Sequence, residues 1–284
     1  IICLQLLNKL KNKIPYHIYG GAYTEPLMNP YLMAFLHTTK YYGNHFGIHT
    51  NGTYLWKLQE IQGWLDELDR IATDSEDYLS ISLDAGSVES HKRNKRVKKD
   101  YFTDILKAIR YLAKIRKKVT IRICYLLNET NDSEEDIANI VKFARETQID
   151  SLRFSIPYAH YAQTFKRVKE YKKKVEQPRN KIYCERIQPY LSKNKSEKPY
   201  IFYVSPREGW TDIDLYDFSQ CIYGYYQITY GADGFVYRCS AVATPTMKHL
   251  RLGKITDDLN EFEKMIMANQ DPRFNCQKQC FARK

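Results

Sequence analysis

No run of about 18 apolar residues, the length that crosses a bilayer as a helix, occurs anywhere in the 284 residues. The start of the sequence also lacks a basic segment leading into an apolar stretch and a small-residue cleavage site. Together these absences lead to the expectation of a soluble, cytoplasmic protein with no membrane partner. Glycine (12) and proline (10) are few, which excludes a collagen-like or low-complexity chain. Acidic residues are in deficit, 33 Asp+Glu against 44 Lys+Arg, so the formal charge is +11. No aromatic ribonucleoprotein motif or helix-turn-helix signature accompanies that charge, so nucleic acid is not the expected partner. The basic runs at 92–99 and 166–174 read first as solvated faces, and otherwise as an attraction for an acidic peptide.

What is present suits a folded domain with a small appendage. Hydrophobic residues make up 43% and charged residues 27%, enough to bury a core. Seven cysteines, at 3, 124, 184, 221, 239, 276 and 280, are an odd number in a chain too long to need disulfide staples. Clustered cysteines in a cytosolic protein more often bind metal or do redox chemistry. Four of the seven fall in the last 64 residues.

Strand-like runs begin near Tyr16, His45, Tyr78, Val119 and Ser151, and each interval holds a segment of helical periodicity. That rhythm predicts repeated βα units and a parallel sheet. Asn29-Pro30 suits a helix start before Leu32, and Ser133-x-x-Asp136 a capping box before Ile137. The strands alternate, although buried parallel strands usually read as continuous apolar runs. Tyr16, Ile18, Phe46, Ile48, Leu79, Ile81, Leu83, Ile121, Ile123, Leu152, Phe154 and Ile156 are expected on one face. His17, Tyr19, His45, His49, Ser80, Ser82, Asp84, Thr120, Arg122, Cys124, Ser151, Arg153 and Ser155 are expected on the other. One apolar and one polar face predict a curved sheet or barrel with a wet, functional lumen. Residues 1–160 are assigned to this unit, 161–220 to a basic linker and barrel-closing segment, and 221–284 to a hairpin-and-helix domain.

Gly20-Gly21 and Thr24-Glu25 stand where the first strand ends, and glycines there let a ligand approach the backbone. Asn51-Gly52-Thr53 follows the second strand, and Ser82-Leu83-Asp84 ends the third. This order, Gly-Gly, Glu-Pro, Asn-Gly and Ser-Leu-Asp at successive strand ends, resembles the radical S-adenosylmethionine superfamily. The resemblance covers roughly residues 14–157, with Ala22-Tyr23-Thr24 inserted between the glycines and Glu25.

It implies a partial (β/α)6 barrel and an enzyme that cleaves S-adenosylmethionine to a 5′-deoxyadenosyl radical. That radical then removes a hydrogen from the substrate. Gly20, Gly21 and Glu25 would border the methionine amino group and Ser82 and Asp84 the ribose side, with Thr24 and Asn51 also expected to bind the cofactor. Arg93 or Lys95 would follow as basic residues, and Arg122 would meet the carboxylate. Ser82 and Asp84 equally suit strand-end groups bonded to backbone, and Arg122 an internal ion pair. The family holds its [4Fe–4S] cluster on C-x3-C-x2-C, which these residues do not contain; Cys3 stands alone. The expectation is that those ligands and the first barrel strand lie outside this chain.

Cys221, Gly234 and Cys239 read C-x12-G-x4-C, and Cys276-x3-Cys280 adds a second pair. Four thiolates suit an iron–sulfur cluster or tetrahedral zinc. The arrangement resembles the SPASM or twitch extension, which implies an auxiliary iron–sulfur cluster on Cys221, Cys239, Cys276 and Cys280. The expected substrate is a ribosomally made peptide, modified by epimerisation, crosslinking or oxidation, with Cys124 as candidate hydrogen donor. An electron donor such as a flavodoxin or ferredoxin is implied. A sugar or small metabolite as substrate, or a non-catalytic cluster- or zinc-binding scaffold, is the alternative.

Overall fold

The computed structural model describes residues 2–10, 13–21, 24–156, 177–204, 227–237, 239–240, 243, 245–256 and 258–270. Six parallel strands form the main sheet: β1 (Tyr16–Tyr19), β2 (His45–Thr50), β3 (Tyr78–Ser82), β4 (Thr120–Leu126), β5 (Ser151–Ser155) and β6 (Tyr200–Val204). They lie in sequential order β1-β2-β3-β4-β5-β6. Right-handed crossovers that always advance in one direction place every helix on the same side. That is the winding of a barrel rather than of a doubly wound sheet. β1 and β6 are unpaired with each other, so the barrel is partial.

α1 (Ile2–Leu10) precedes the sheet, and the crossovers are α2 (Leu32–Tyr41), α3 (Leu55–Gln62) with α4 (Trp64–Ile71), α5 (Val88–Lys95) with α6 (Phe102–Ile115), and α7 (Glu134–Thr147). Leu36, Leu65, Leu68, Ile105, Ile109, Ile137 and Ile140 project from these helices at helical spacing. They meet Phe46, Ile48, Leu79, Ile81, Ile121, Ile123, Leu152 and Phe154 from the sheet in one buried core. The opposite, inner face stays polar, yet Tyr78 (7% exposed) and Ser80 (4%) at its middle are buried.

Register corrects the expected faces of β1. Tyr16 pairs with His45 and Ile18 with Gly47, whereas His17 pairs with Phe46 and Tyr19 with Ile48. Tyr16 and Ile18 therefore share the inner face, and His17 and Tyr19 face the helices. A one-residue shift in parity exchanges the two faces of a strand. The polar groups are matched where they land: Tyr19 bonds Thr39 (2.6 Å) and His17 bonds Asn44 (3.1 Å). A second correction concerns strand number, since five strands were expected. The helix Gln177–Ile187 and β6 lie inside 161–220, the stretch read as a basic linker and barrel-closing segment, and the aromatic pair Tyr200/Phe202 hid the alternation that marks β6.

The Asn29-Pro30 signal is displaced slightly. Pro26–Met28 forms a 3₁₀ turn capped by Glu25, and α2 begins at Leu32, while Ser133 caps α7 as its sequence suggests. Beyond β6, β7 (Thr229–Tyr230), β8 (Phe235–Tyr237) and β9 (Arg251–Lys254) form a small antiparallel sheet followed by the helix Leu259–Gln270. Phe262 of that helix packs with Leu6 and Leu10 of α1, so the small unit shares a core with the start of the chain. No helix among the described residues is long and apolar enough to cross a membrane.

Candidate functional site

The expected site residues gather at the C-terminal ends of β1 to β4, where a singly wound parallel sheet presents its loops. Gly20 has φ +112°, and a methyl group there would overlap the His49 carbonyl. Glycine is therefore needed for close contact between β1 and β2. Gly21 is exposed and bridges Thr24. Glu25 is fully engaged within the protein: Oε1 accepts from Leu27 N (3.1 Å) and Thr50 Oγ1 (2.5 Å), and Oε2 accepts from Asn51 N (2.8 Å). Asn51 in turn accepts from Thr53 N and Thr53 Oγ1. The first two loops are thus one hydrogen-bonded unit.

Asp84 plays the same part between β3 and β4. It is 7% exposed, adopts φ +52°, accepts Leu126 N at 2.7 Å through Oδ1 and pairs with Lys95 Nζ at 2.5 Å through Oδ2. Arg93 donates to the Thr130 carbonyl (3.0 and 2.7 Å), closing the loop after β4. Glu25, Asn51, Asp84, Arg93 and Lys95 therefore spend their polar groups on the loop framework. Thr24 and Ser82 remain at the same rim, beside Gly21, without a side-chain hydrogen bond among the described residues.

Below the rim, the inner face carries a second constellation. Rows read across the register are Gly47–Tyr78–Thr120, then His49–Ser80–Arg122–Ser151–Tyr200, then Ser82–Cys124–Arg153–Phe202. The Arg122 guanidinium carbon lies 3.8 Å from the Tyr78 ring centroid, and Tyr78 Oη and His49 Nε2 are 2.7 Å apart. Cys124 Sγ and Ser80 Oγ are 3.3 Å apart. Burial, then the charges of Arg153 and Arg122, lower the pKa of His49, so the imidazole is neutral at pH 7. Burial raises the Tyr78 phenol, which stays protonated. Sequence reasoning put Arg122 and Cys124 on this face but missed the platform that Tyr78 provides. The signal was present, because Tyr78 has the parity of Ser80 and Ser82 and stands opposite Gly47, where a side chain would collide with its ring.

His45, Asp74 and Asp77 are the one group of metal-ligand type among the described residues. They sit at the N-terminal edge, where Lys40 Nζ, 2.8 Å from Asp77, already supplies a positive charge. No three cysteines among the described residues come together, so these residues do not fit a catalytic [4Fe–4S] cluster. Cys239 is buried beside Tyr237, Phe235, Ala243 and Leu250. Cys221, Cys276 and Cys280 lie outside the described residues.

The profile of the Radical SAM superfamily matches residues 3–144, half of the chain. The chain belongs to the radical SAM superfamily. No curated protein is a sequence match. Among solved structures, Streptococcus suis SuiB bound to its precursor peptide SuiA is similar at TM-score 0.61 and 16% identity, over 95% of this chain and 57% of SuiB. SuiB bound to S-adenosylmethionine gives TM-score 0.48 at 18% identity over 72% and 41%. An archaeal TYW1 gives 0.34 at 24% identity over 47% and 40%. The first shows a shared fold, and this chain spans a little over half of SuiB. A partial radical SAM barrel followed by a small antiparallel sheet is thus the architecture, in a family of S-adenosylmethionine-dependent iron–sulfur enzymes.

Proposed function

We propose that the protein is a radical SAM enzyme that modifies a ribosomally made peptide by epimerisation, crosslinking or oxidation. The observation that carries this reading is the family match over the βα units whose strand ends form one braced, polar rim. S-adenosylmethionine, when bound and reduced, supplies a 5′-deoxyadenosyl radical that takes a hydrogen atom from the substrate. This chain's part is to bind and orient. Gly20, Gly21, Thr24 and Ser82 would face the cofactor, with Glu25, Asn51, Asp84, Arg93 and Lys95 holding the loops that carry them. Arg122 stacks on Tyr78, one row closer to the sheet's N-terminal edge, and so lies deeper than that rim.

A peptide is favoured over a sugar or small metabolite by the SuiB fold, which in that protein receives a precursor peptide. The charge of +11 adds long-range attraction for an acidic leader. We further propose an auxiliary iron–sulfur cluster on Cys221, Cys239, Cys276 and Cys280, and a flavodoxin or ferredoxin as electron source. The spacing of those cysteines supports the cluster, and the buried, apolar setting of Cys239 agrees with it.

The test is anaerobic reconstitution of the full-length protein with iron and sulfide, followed by S-adenosylmethionine and reductant. Reductant-dependent 5′-deoxyadenosine, read by mass spectrometry, supports the proposal. Binding of S-adenosylmethionine without cleavage, in protein carrying its full iron and sulfide, overturns it in favour of a non-catalytic scaffold.

A further inference from the structure

The inner face carries two arginines on adjacent strands, Arg122 on β4 and Arg153 on β5. Neither has a carboxylate partner among the described residues, and the Arg122 side chain makes no hydrogen bond there. Ladder spacings put their backbones about 8 Å apart, and long side chains converge across such a gap. Their charges are felt by the same neighbours, since both lower His49 and both act on Tyr78. With His49 neutral, nothing on this patch among the described residues offsets two positive charges. An arginine held away from water without a counter-ion is costly, and Arg122 is half-buried.

The stack makes Arg122 a prepared donor. Tyr78 is fixed by His49 at 2.7 Å and by Gly47, where any side chain would collide with the ring. The guanidinium over the Tyr78 ring has no hydrogen-bond acceptor among the described residues, and its planar fork matches a carboxylate through two parallel hydrogen bonds. Arg153 shares a row with Cys124 and Phe202, so a group held between the arginines lies beside the Cys124 thiol.

We propose that Arg122 and Arg153 form a carboxylate-binding subsite on the inner face, taking a side-chain or terminal carboxylate of the substrate beside Cys124. The inference rests on reading the inner face as the substrate site, but its test needs no radical chemistry. Glutarate and its neutral analogue glutaramide are titrated into the protein while the arginine Nε–H resonances are followed by NMR. Glutarate is expected to shift both resonances and to lose at least tenfold in affinity in Arg122→Gln and in Arg153→Gln. Arg122→Lys, which keeps charge but not the fork, should fall between. Arg153 is exposed and its side chain makes no hydrogen bond or ion pair among the described residues, so Arg153→Gln tests the idea in a protein whose fold is intact.

Three outcomes overturn the subsite: no shift with glutarate, equal binding of glutaramide, or unchanged affinity in Arg153→Gln. Tighter binding of inorganic phosphate than of glutarate overturns the carboxylate assignment. A parallel titration with S-adenosylmethionine separates the ligands. If Arg122→Gln weakens that cofactor and leaves glutarate unaffected, the arginine belongs to the cofactor and the proposal fails. A protein that binds glutarate as expected yet forms no 5′-deoxyadenosine keeps the subsite and loses only the enzymatic reading.

Discussion

The Glu25 carboxylate joins the end of β1 to Asn51 after β2, accepting the Asn51 amide at 2.8 Å through one oxygen and the Thr50 hydroxyl at 2.5 Å through the other. A half-buried carboxylate with three donors is a charge-assisted brace. Glu25→Gln keeps the shape and one acceptor but removes the charge. It is expected to lower unfolding free energy by about 1–3 kcal/mol, read from urea denaturation midpoints. An unchanged midpoint would show that the two loops are held by something else.

The loop after β3 is packed so closely on α7 that its glycine has no room for a side chain. A methyl group at Gly86 would overlap the Asp136 carbonyl, and Asp136 itself, 5% exposed, accepts the hydroxyls of Ser87 (2.7 Å) and Ser90 (2.8 Å). Gly86→Ala must push α7 away and is expected to cost about 3 kcal/mol or more. Gly43→Ala is the contrast: φ is +77° but no heavy atom lies within 4 Å, so only backbone strain of about 1 kcal/mol is expected. Equal thermal shifts in the two variants would refute the packing argument.

The βα rhythm was legible because strand alternation and helical spacing are local, and the Asp84 and Asn51 motifs mark strand ends whatever surrounds them. The polar face was legible for β2 to β5 because serines, arginines and histidines kept parity there. β1 was misread because its alternating pairs, Tyr16/Ile18 and His17/Tyr19, each combine apolar surface with a polar atom, so only pairing with β2 fixes its faces. The sequence could nominate Glu25, Asp84, Arg93 and Lys95 as site residues. That they bond to one another's loops depends on contacts between residues 11 to 47 positions apart, such as Lys95 with Asp84 and Asn131 with Asp84, and no local pattern reveals these.

Acid stability should depend on Asp77. It is 0% exposed, and although burial pushes its pKa upward, Lys40 and the Thr73 and Phe46 amides hold the carboxyl below its ordinary value of 3.8. A carboxyl depressed in the folded state contributes stability that is fully present above the unfolded pKa and is lost as pH falls through the folded pKa. Wild-type stability from this source should be flat from pH 7 to about 5 and decline below about 4. Asp77→Asn should be less stable at pH 7 and show a shallower acid limb in denaturation measured from pH 7 to 2. A variant with the same acid limb as wild type would exclude Asp77 as its origin.

Cys124 is one of three cysteines that the expected auxiliary ligands do not use, and it lies on the inner face, 3.3 Å from Ser80 Oγ and in register with Ser82 and Arg153. Where the reaction is an epimerisation, a hydrogen must return from the face opposite to that from which it was taken. Transfer from the thiol forms the new C–H bond and breaks S–H, leaving a thiyl radical that one electron from the reducing partner and one solvent proton restore. A thiol exchanges its hydrogen with water, so peptide turned over in deuterated water should gain one deuterium at Cα with the wild-type protein. Cys124→Ala removes one sulfur from a half-buried position and should fold normally. It should still form 5′-deoxyadenosine while yielding little epimerised, deuterated peptide, with at least a tenfold drop in product per 5′-deoxyadenosine. The same ratio in the variant as in wild type would eliminate Cys124 as donor and direct attention to a residue outside the described face.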